Sequence, residues 1–235
     1  MGAEKSGPEF GADFSFGGKK EKRRPEKLYR AITVDPAELT LGRLKQILVP
    51  GSANKDDATK IGDGNELGVY MTTNKTMADS VYSRGGGGVG AIETPPYDDS
   101  RTTVRRIELP SCGITYEIDS TDLPIREPEI TQALQGHYNN GYEGEEWIAD
   151  AVPPEKYKVI KLTLSRYAND NKTFKVQVED NSDEGIQAAI DKIKEEYERI
   201  KLAAETFRAY LLSLTEKERL NGYKNKRKME ELGLL

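Results

Sequence analysis

Between residues 183 and 214 an apolar or small residue recurs at steps of four and three without a break. The positions are Ile186, Ile190, Ile193, Tyr197, Ile200, Ala204, Phe207, Leu211 and Leu214. This is a heptad seam, and it predicts one long helix with a single apolar stripe. Asn181 or Ser182 suits its N-cap, and Glu184 falls in the first turn, where acidic residues are favoured. A stripe of that length has to be covered. Three covers are open: the chain's own domain, a second copy, or a protein partner such as an immunity or carrier protein. The last twenty residues, with a glycine break at Gly222 and mixed charge, read as a short terminal helix or a tail.

The remaining 180 or so residues are polar for a packed domain. Hydrophobic residues make up 36% of the 235 and charged residues 32%, against an ordinary apolar share of about 45–50%. Residues 1–26 hold little that could be buried, and their basic run (KKEKRRPEK, 19–27) reads as a disordered leader. The net charge of −5 argues against a nucleic-acid-coating surface. Cys112 is the single cysteine and His137 the single histidine, so neither a disulfide framework nor a cysteine metal cluster is expected. A Ser-His-Asp triad would have to use that one histidine. No apolar run reaches the ~20 residues that span a bilayer, and the first residues do not read as a secretory signal. The expected site of action is the cytoplasm, of its own cell or of a target cell.

Strand patterns fill the middle of the chain. LYRAITV (28–34) carries β-branched residues and is broken by Pro36. LTLGRLKQIL (39–48) has helical spacing, and residues 50–66 read as loop. GVYMTT (68–73) reads as a strand leading, through a Thr73-Asn74 cap, into a helix over 75–83. In SRGGGGVGAIETPPYDD (83–99) the four glycines 85–88 read as a flexible loop. TVRRIEL, GITYEID, EWIADAV, YKVIKLTLS and FKVQVED supply further strands. The expectation is an α+β domain over 27–180 whose core is two small packed sheets, followed by an amphipathic helix and tail over 181–235.

Three of these segments carry chemistry-bearing residues in a definite order: Tyr29-Arg30-Ala31, then Gly68-Val69-Tyr70-Met71-Thr72-Thr73 with Ala78 and Tyr82, then Glu146-Trp147-Ile148 with Val152-Pro153-Pro154-Glu155. In this order and spacing, residues 27–165 resemble the ADP-ribosyltransferase superfamily, in particular its bacterial toxin-like members. The resemblance implies a split β-sandwich of two small sheets with flanking helices. It implies cleavage of the nicotinamide–ribose bond of NAD without a metal, and transfer of ADP-ribose to a macromolecular acceptor, a protein rather than a nucleic acid. Glu146 would stabilise positive charge at the ribose, Tyr70 would stack on nicotinamide, and Arg30 would hold the ribose and phosphates through its planar fork. Arg30, Ala31, Tyr70, Thr72 and Tyr82 would form the NAD-contacting set, with Thr73 as a second option for Thr72.

Taken singly these residues carry little, because a strand tyrosine is ordinarily core and a strand-end glutamate ordinarily solvated. The register of the glutamate is also open. Glu146 has Gly144 two residues upstream, whereas Glu145 has Glu143, and the two neighbours face opposite sides of a strand. The arginine-modifying pattern, Glu-x-Glu, fits only the Glu145 register. The pairing of Arg30 with Tyr70 mixes two branches of the family. GGGGVG (85–90) has dinucleotide-fingerprint spacing but follows a helix, so it reads as a flap, with Arg84 at its edge. QALQGHYNNGYEG (132–144), with His137, reads as an exposed acceptor-recognition loop. Two other functions stay open: an NAD glycohydrolase, and an inactive domain of the same fold that binds partners. An RNA 2′-phosphotransferase would call for basic residues lining its cleft, which this acidic chain does not favour.

Overall fold

The computed structural model describes residues 23–49, 68–80, 90–99, 102–126, 146–165 and 173–235. It is a mixed α+β protein with a large antiparallel sheet, a two-stranded sheet and a long helix near the C-terminus. The large sheet is built from β1 (Lys27–Val34), β2 (Val69–Thr72), β5 (Ser111–Asp119), β6 (Ile125–Arg126), β7 (Glu146–Ala149), β8 (Tyr157–Ser165) and β9 (Phe174–Gln177). Their order is β6-β7-β2-β1-β5-β8-β9. The hairpin β3 (Gly90–Asp98) and β4 (Thr103–Leu109) stands apart.

Alternation decides which face is buried. Ile32, Ile114, Leu162 and Val176 are register partners across β1, β5, β8 and β9, and all four are buried. Val34, Cys112 and Leu164 form the next row. This apolar face is what the heptad helix covers. Helix α3 (Asp183–Leu212) buries Ile186, Ala189, Ile190, Ile193, Tyr197, Ile200, Ala204, Phe207 and Leu211 in the same core. Eight of the nine seam positions named from sequence are buried; Leu214 lies beyond the helix end and is half-buried. The seam is thus covered in cis, with the large sheet on one side and the hairpin on another: Phe207 meets Tyr97 of β3 edge-on at 5.3 Å and stacks on Tyr210 at 5.9 Å.

Local chemistry fixes where α3 begins. The Ser182 hydroxyl accepts from the Gly185 amide at 3.1 Å. Asn181 docks this end on β8, accepting from the Val159 amide at 2.8 Å and donating to the Val159 carbonyl at 3.0 Å. Gly185 is required by close approach, since a Cβ there would meet the Asp180 carbonyl oxygen at 2.4 Å. Beyond α3, a capping box of Thr215 and Glu218 opens α4 (Glu216–Arg219), and Asn221 caps α5 (Gly222–Glu231). Met229 and Leu234 return to the core, so the last twenty residues form two short packed helices.

Three segments differ from the sequence expectation. Helical spacing over 39–48 yields only one turn, α1 (Leu41–Leu44), capped by Thr40. The Tyr157 hydroxyl reaches the Leu44 and Gln46 carbonyls (3.0 and 2.6 Å), and Leu48 bridges to Val152 instead of extending the helix. Residues 90–98, given no element from the sequence, form β3. Pro95 and Pro96 cannot donate to a ladder, and the β3–β4 register shifts between Glu93 and Tyr97, where they lie. Ahead of Lys27, Arg24 donates to the Ser120 carbonyl at 2.7 Å and also bonds that of Leu123. Residues 1–22 lie outside the described part. Helix α2 (Lys75–Ser80) starts at the expected place, and the rest of its expected span is likewise outside.

Candidate functional site

The large sheet has a weak line. β1 pairs with β5 through eight register partners, and β2 pairs with β7 through four, along its whole length. Between β1 and β2 there is one pair, Tyr29↔Thr72. The sheet is therefore two blocks, β6-β7-β2 and β1-β5-β8-β9, joined at a single point. Arg30, Tyr70, Thr72 and Glu146 lie on the strands beside this seam; strand alternation puts Tyr70, Thr72 and Glu146 on one face of the sheet and Arg30 on the other.

Arg30, one residue past the joining pair, sends its Nη1 across the seam to the Tyr70 carbonyl at 2.9 Å. A side chain thus occupies the ladder position that a backbone amide would take in a continuous sheet. Tyr70 is half-exposed and Thr72 buried. The Thr72 hydroxyl accepts from the Asn74 amide at 3.0 Å, tying the end of β2 to the start of α2. Glu146 is the first residue of β7 and the register partner of Thr72, while Tyr70 is the partner of Ile148. Arginine, tyrosine, threonine and glutamate, far apart in sequence, thus lie on three successive strands. Ala31 lies on β1 opposite Thr115. Tyr82, Glu143, Gly144, Glu145, Arg84, the glycines 85–88 and the loop with His137 lie outside the described residues.

Two features of this region were not singled out from sequence. The first is Tyr116, directly across from Arg30 in the β1–β5 register and fully buried. Its ring meets that of Tyr157 edge-on at 5.1 Å. Among the described residues its hydroxyl meets no hydrogen-bond partner, nor does the Trp147 indole nitrogen of β7. Burial drives the phenol well above its ordinary pKa and Tyr157 adds to this, while the charges of Arg30 and Arg43 pull it back. The alternation Cys112, Ile114, Tyr116, Ile118 does assign Tyr116 to the buried face. The missing partner shows only once the fold is assembled.

The second is a polar row on the other face of the same strands. Thr115 pairs with Lys161, and Gly113 with Thr163. Thr115, Lys161 and Thr163 are all buried, and the two threonine hydroxyls meet no partner among the described residues. Ala31 and Thr33 of β1 continue this row.

Elsewhere the candidates thin out. An open groove of about 490 Å³ is lined by Lys27, Glu117, Asp119 and Lys158 among others. Within it Glu117 takes Lys27 at 3.1 Å and Lys158 at 3.0 Å, and Lys156 lies 4.0 Å from Asp119. Cys112 is buried, which pushes its thiol up to about 12, so it stays protonated at neutral pH and is a poor nucleophile. Among the described residues no three His, Cys, Asp or Glu side chains converge to hold a metal, and no helix is long and apolar enough to cross a membrane. Comparison of the chain with protein-family models, with curated proteins and with solved structures gives no match.

Proposed function

We propose that this chain is an NAD-dependent ADP-ribosyltransferase that moves ADP-ribose to a protein acceptor. The observation that carries the reading is the seam. Arg30, Tyr70, Thr72 and Glu146 fall on adjacent strands, with Thr72 in register with Glu146 and Arg30 reaching Tyr70. The division of the large sheet at one pair also supports the finer expectation of two small sheets that part from each other.

The residues present suit a dinucleotide. Arg30 brings a planar, permanently charged donor fork to the seam, which matches phosphate oxygens. Tyr70 offers a half-exposed ring for a flat heterocycle. In the reaction the C1′–N bond of NAD breaks and its electron pair leaves with nicotinamide. Positive charge then spreads over C1′ and the ring oxygen until a lone pair of the acceptor closes the new bond at C1′. A fixed carboxylate near the ribose stabilises that charge only as it develops, which lowers the barrier rather than merely tightening binding. Glu146 is assigned this role. Arg30 anchors the phosphates, and Tyr70 and Thr72 set the position of the ring and of β7.

Nicotinamide release from NAD tests the reading, with wild type beside Glu146→Gln and Glu145→Gln. Removal of one electrostatic stabiliser of this kind costs on the order of 10²–10³ in rate, so Glu146→Gln should lose release while keeping NAD binding. Loss with Glu145→Gln alone would move the carboxylate by one residue. Release without transfer of label to protein would mean a glycohydrolase. A wild type that neither releases nicotinamide nor binds NAD, even with lysate supplying acceptors, would leave an interaction module.

A further inference from the structure

We propose that the chain pairs with a second copy of itself along strand β9, so that the two large sheets run on as one antiparallel sheet. The pairing stands apart from the NAD reading and needs no part of it.

Strand β9 closes one end of the large sheet, and its four residues have β8 on one side only. Which backbone groups face outward follows from the register. The Val178 amide donates to the Ile160 carbonyl at 3.0 Å, and Val176 is the register partner of Leu162. In an antiparallel ladder a residue turns its N–H and its C=O to the same neighbour, and the next residue turns both away. Phe174, Val176 and Val178 therefore bond to β8, while Lys175, Gln177 and Glu179 present their amides and carbonyls to the outside. Among the described residues no backbone hydrogen bond takes up these outward groups. Phe174, Lys175, Gln177 and Glu179 are all exposed, so the edge is open to solvent. An open edge of this kind is a template for a further strand.

The residues along the edge decide which strand fits. A partner must bring its own outward residues opposite Lys175, Gln177 and Glu179. The segment does this when it runs antiparallel to itself about Gln177. Gln177 then meets Gln177 of the second copy, and Lys175 of each copy meets Glu179 of the other. Opposed residues in such pairs lie about 5.5 Å apart at Cα, within reach of a Lys–Glu ion pair. Among the described residues neither Lys175 nor Glu179 has an ionic partner within its own chain. A slip of two residues either way loses both ion pairs, so the charges fix the register. Val176 and Val178, both buried, alternate with the outward residues and carry the apolar face across the junction. The pairing also closes on itself. Both copies use the same edge, and the far end of each sheet is β6, only two residues long.

Sedimentation equilibrium of the full chain over a wide range of concentration tests this. The proteins are wild type, Lys175→Glu, Glu179→Lys and the double variant that swaps the two charges. Wild type should form a dimer that dissociates on dilution. Each single reversal sets like charges against each other at two points and should raise the dissociation constant about tenfold or more. The double variant restores both pairs and should return the constant to within about threefold of wild type. Because the altered side chains are exposed, melting temperatures of dilute samples should stay close to wild type, which separates lost pairing from lost folding. A wild type that stays monomeric at every concentration overturns the proposal. So does a dimer indifferent to the single reversals, or one that the double variant fails to restore.

Discussion

Replacement of Phe207 by alanine measures how firmly the long helix is held by its own chain. Phe207 is fully buried, meets Tyr97 of the hairpin edge-on at 5.3 Å and stacks on Tyr210 at 5.9 Å. A buried phenylalanine cut to alanine costs about 3–5 kcal/mol through lost transfer energy and the cavity left behind. The site belongs in the upper half of that range, because aromatic pairs contribute roughly 0.5–1.5 kcal/mol beyond area. In a chain of this length the loss translates to a fall in melting temperature of roughly 8–20 °C. Leu202→Ala is the matched control. It sits on the same helix, is 64% exposed, and should change stability by no more than about 0.5 kcal/mol. Urea unfolding of both variants and of wild type, at two protein concentrations, gives the comparison. If Phe207→Ala costs under about 1 kcal/mol, or no more than the control, α3 is not packed against this domain in solution. A midpoint that rises with protein concentration would show that a second copy adds to the cover.

Two further outcomes follow from polar groups. Burial acts to raise the Glu117 carboxyl, but hydrogen bonds from Lys158 and Lys27 outweigh it and hold the group below its ordinary value of 4.5. A depressed folded-state pKa contributes stability that is present above the unfolded value and lost as pH falls through the folded one. Glu117→Gln should therefore be less stable than wild type near neutral pH, and urea midpoints of the two should converge in acid, below about pH 4. A gap that stays constant down to pH 2 would rule out the pairing as its source. Asn225 is fully buried, and its amide nitrogen donates to the carbonyls of Asp98 (2.9 Å) and Arg219 (2.6 Å). Asn225→Ala leaves both without that donor and should cost about 2–3 kcal/mol in chemical denaturation. A cost near zero would mean that water replaces the amide.

What was legible in the sequence follows the range of the forces involved. Helix α3 could be read because a seam of alternating fours and threes has no other stable use, and eight of its nine named positions are buried. The strands of the large sheet could be read where β-branched residues alternate, as in β1, β5 and β8. Strand β3 could not, because Pro95 and Pro96 look like a loop unless the neighbouring strand is known to tolerate a register shift there. Helix α1 stops after one turn where Tyr157, more than a hundred residues away, takes the carbonyl of its last residue, Leu44, and that of Gln46 beyond it. The site divides in the same way. Arg30, Tyr70, Thr72 and Glu146 were named as candidates from local motifs, and the fold sets them on neighbouring strands. The single joining pair, the Arg30 bond to the Tyr70 carbonyl and the unmet hydroxyl of Tyr116 are all non-local. No window of sequence contains them.

The position of α3 in the chain also bears on how the protein is made. The apolar face of β1 and β5 is covered by a helix that leaves the ribosome only after residue 212. At bacterial or eukaryotic elongation rates, that face stays uncovered for on the order of ten seconds after β5 is synthesised. During this interval the nascent chain presents a row of Ile and Val side chains with nothing of its own to lay on them. The last quarter of the molecule thus completes the first quarter, and any ribosome that stops short of it releases a product with an open hydrophobic sheet.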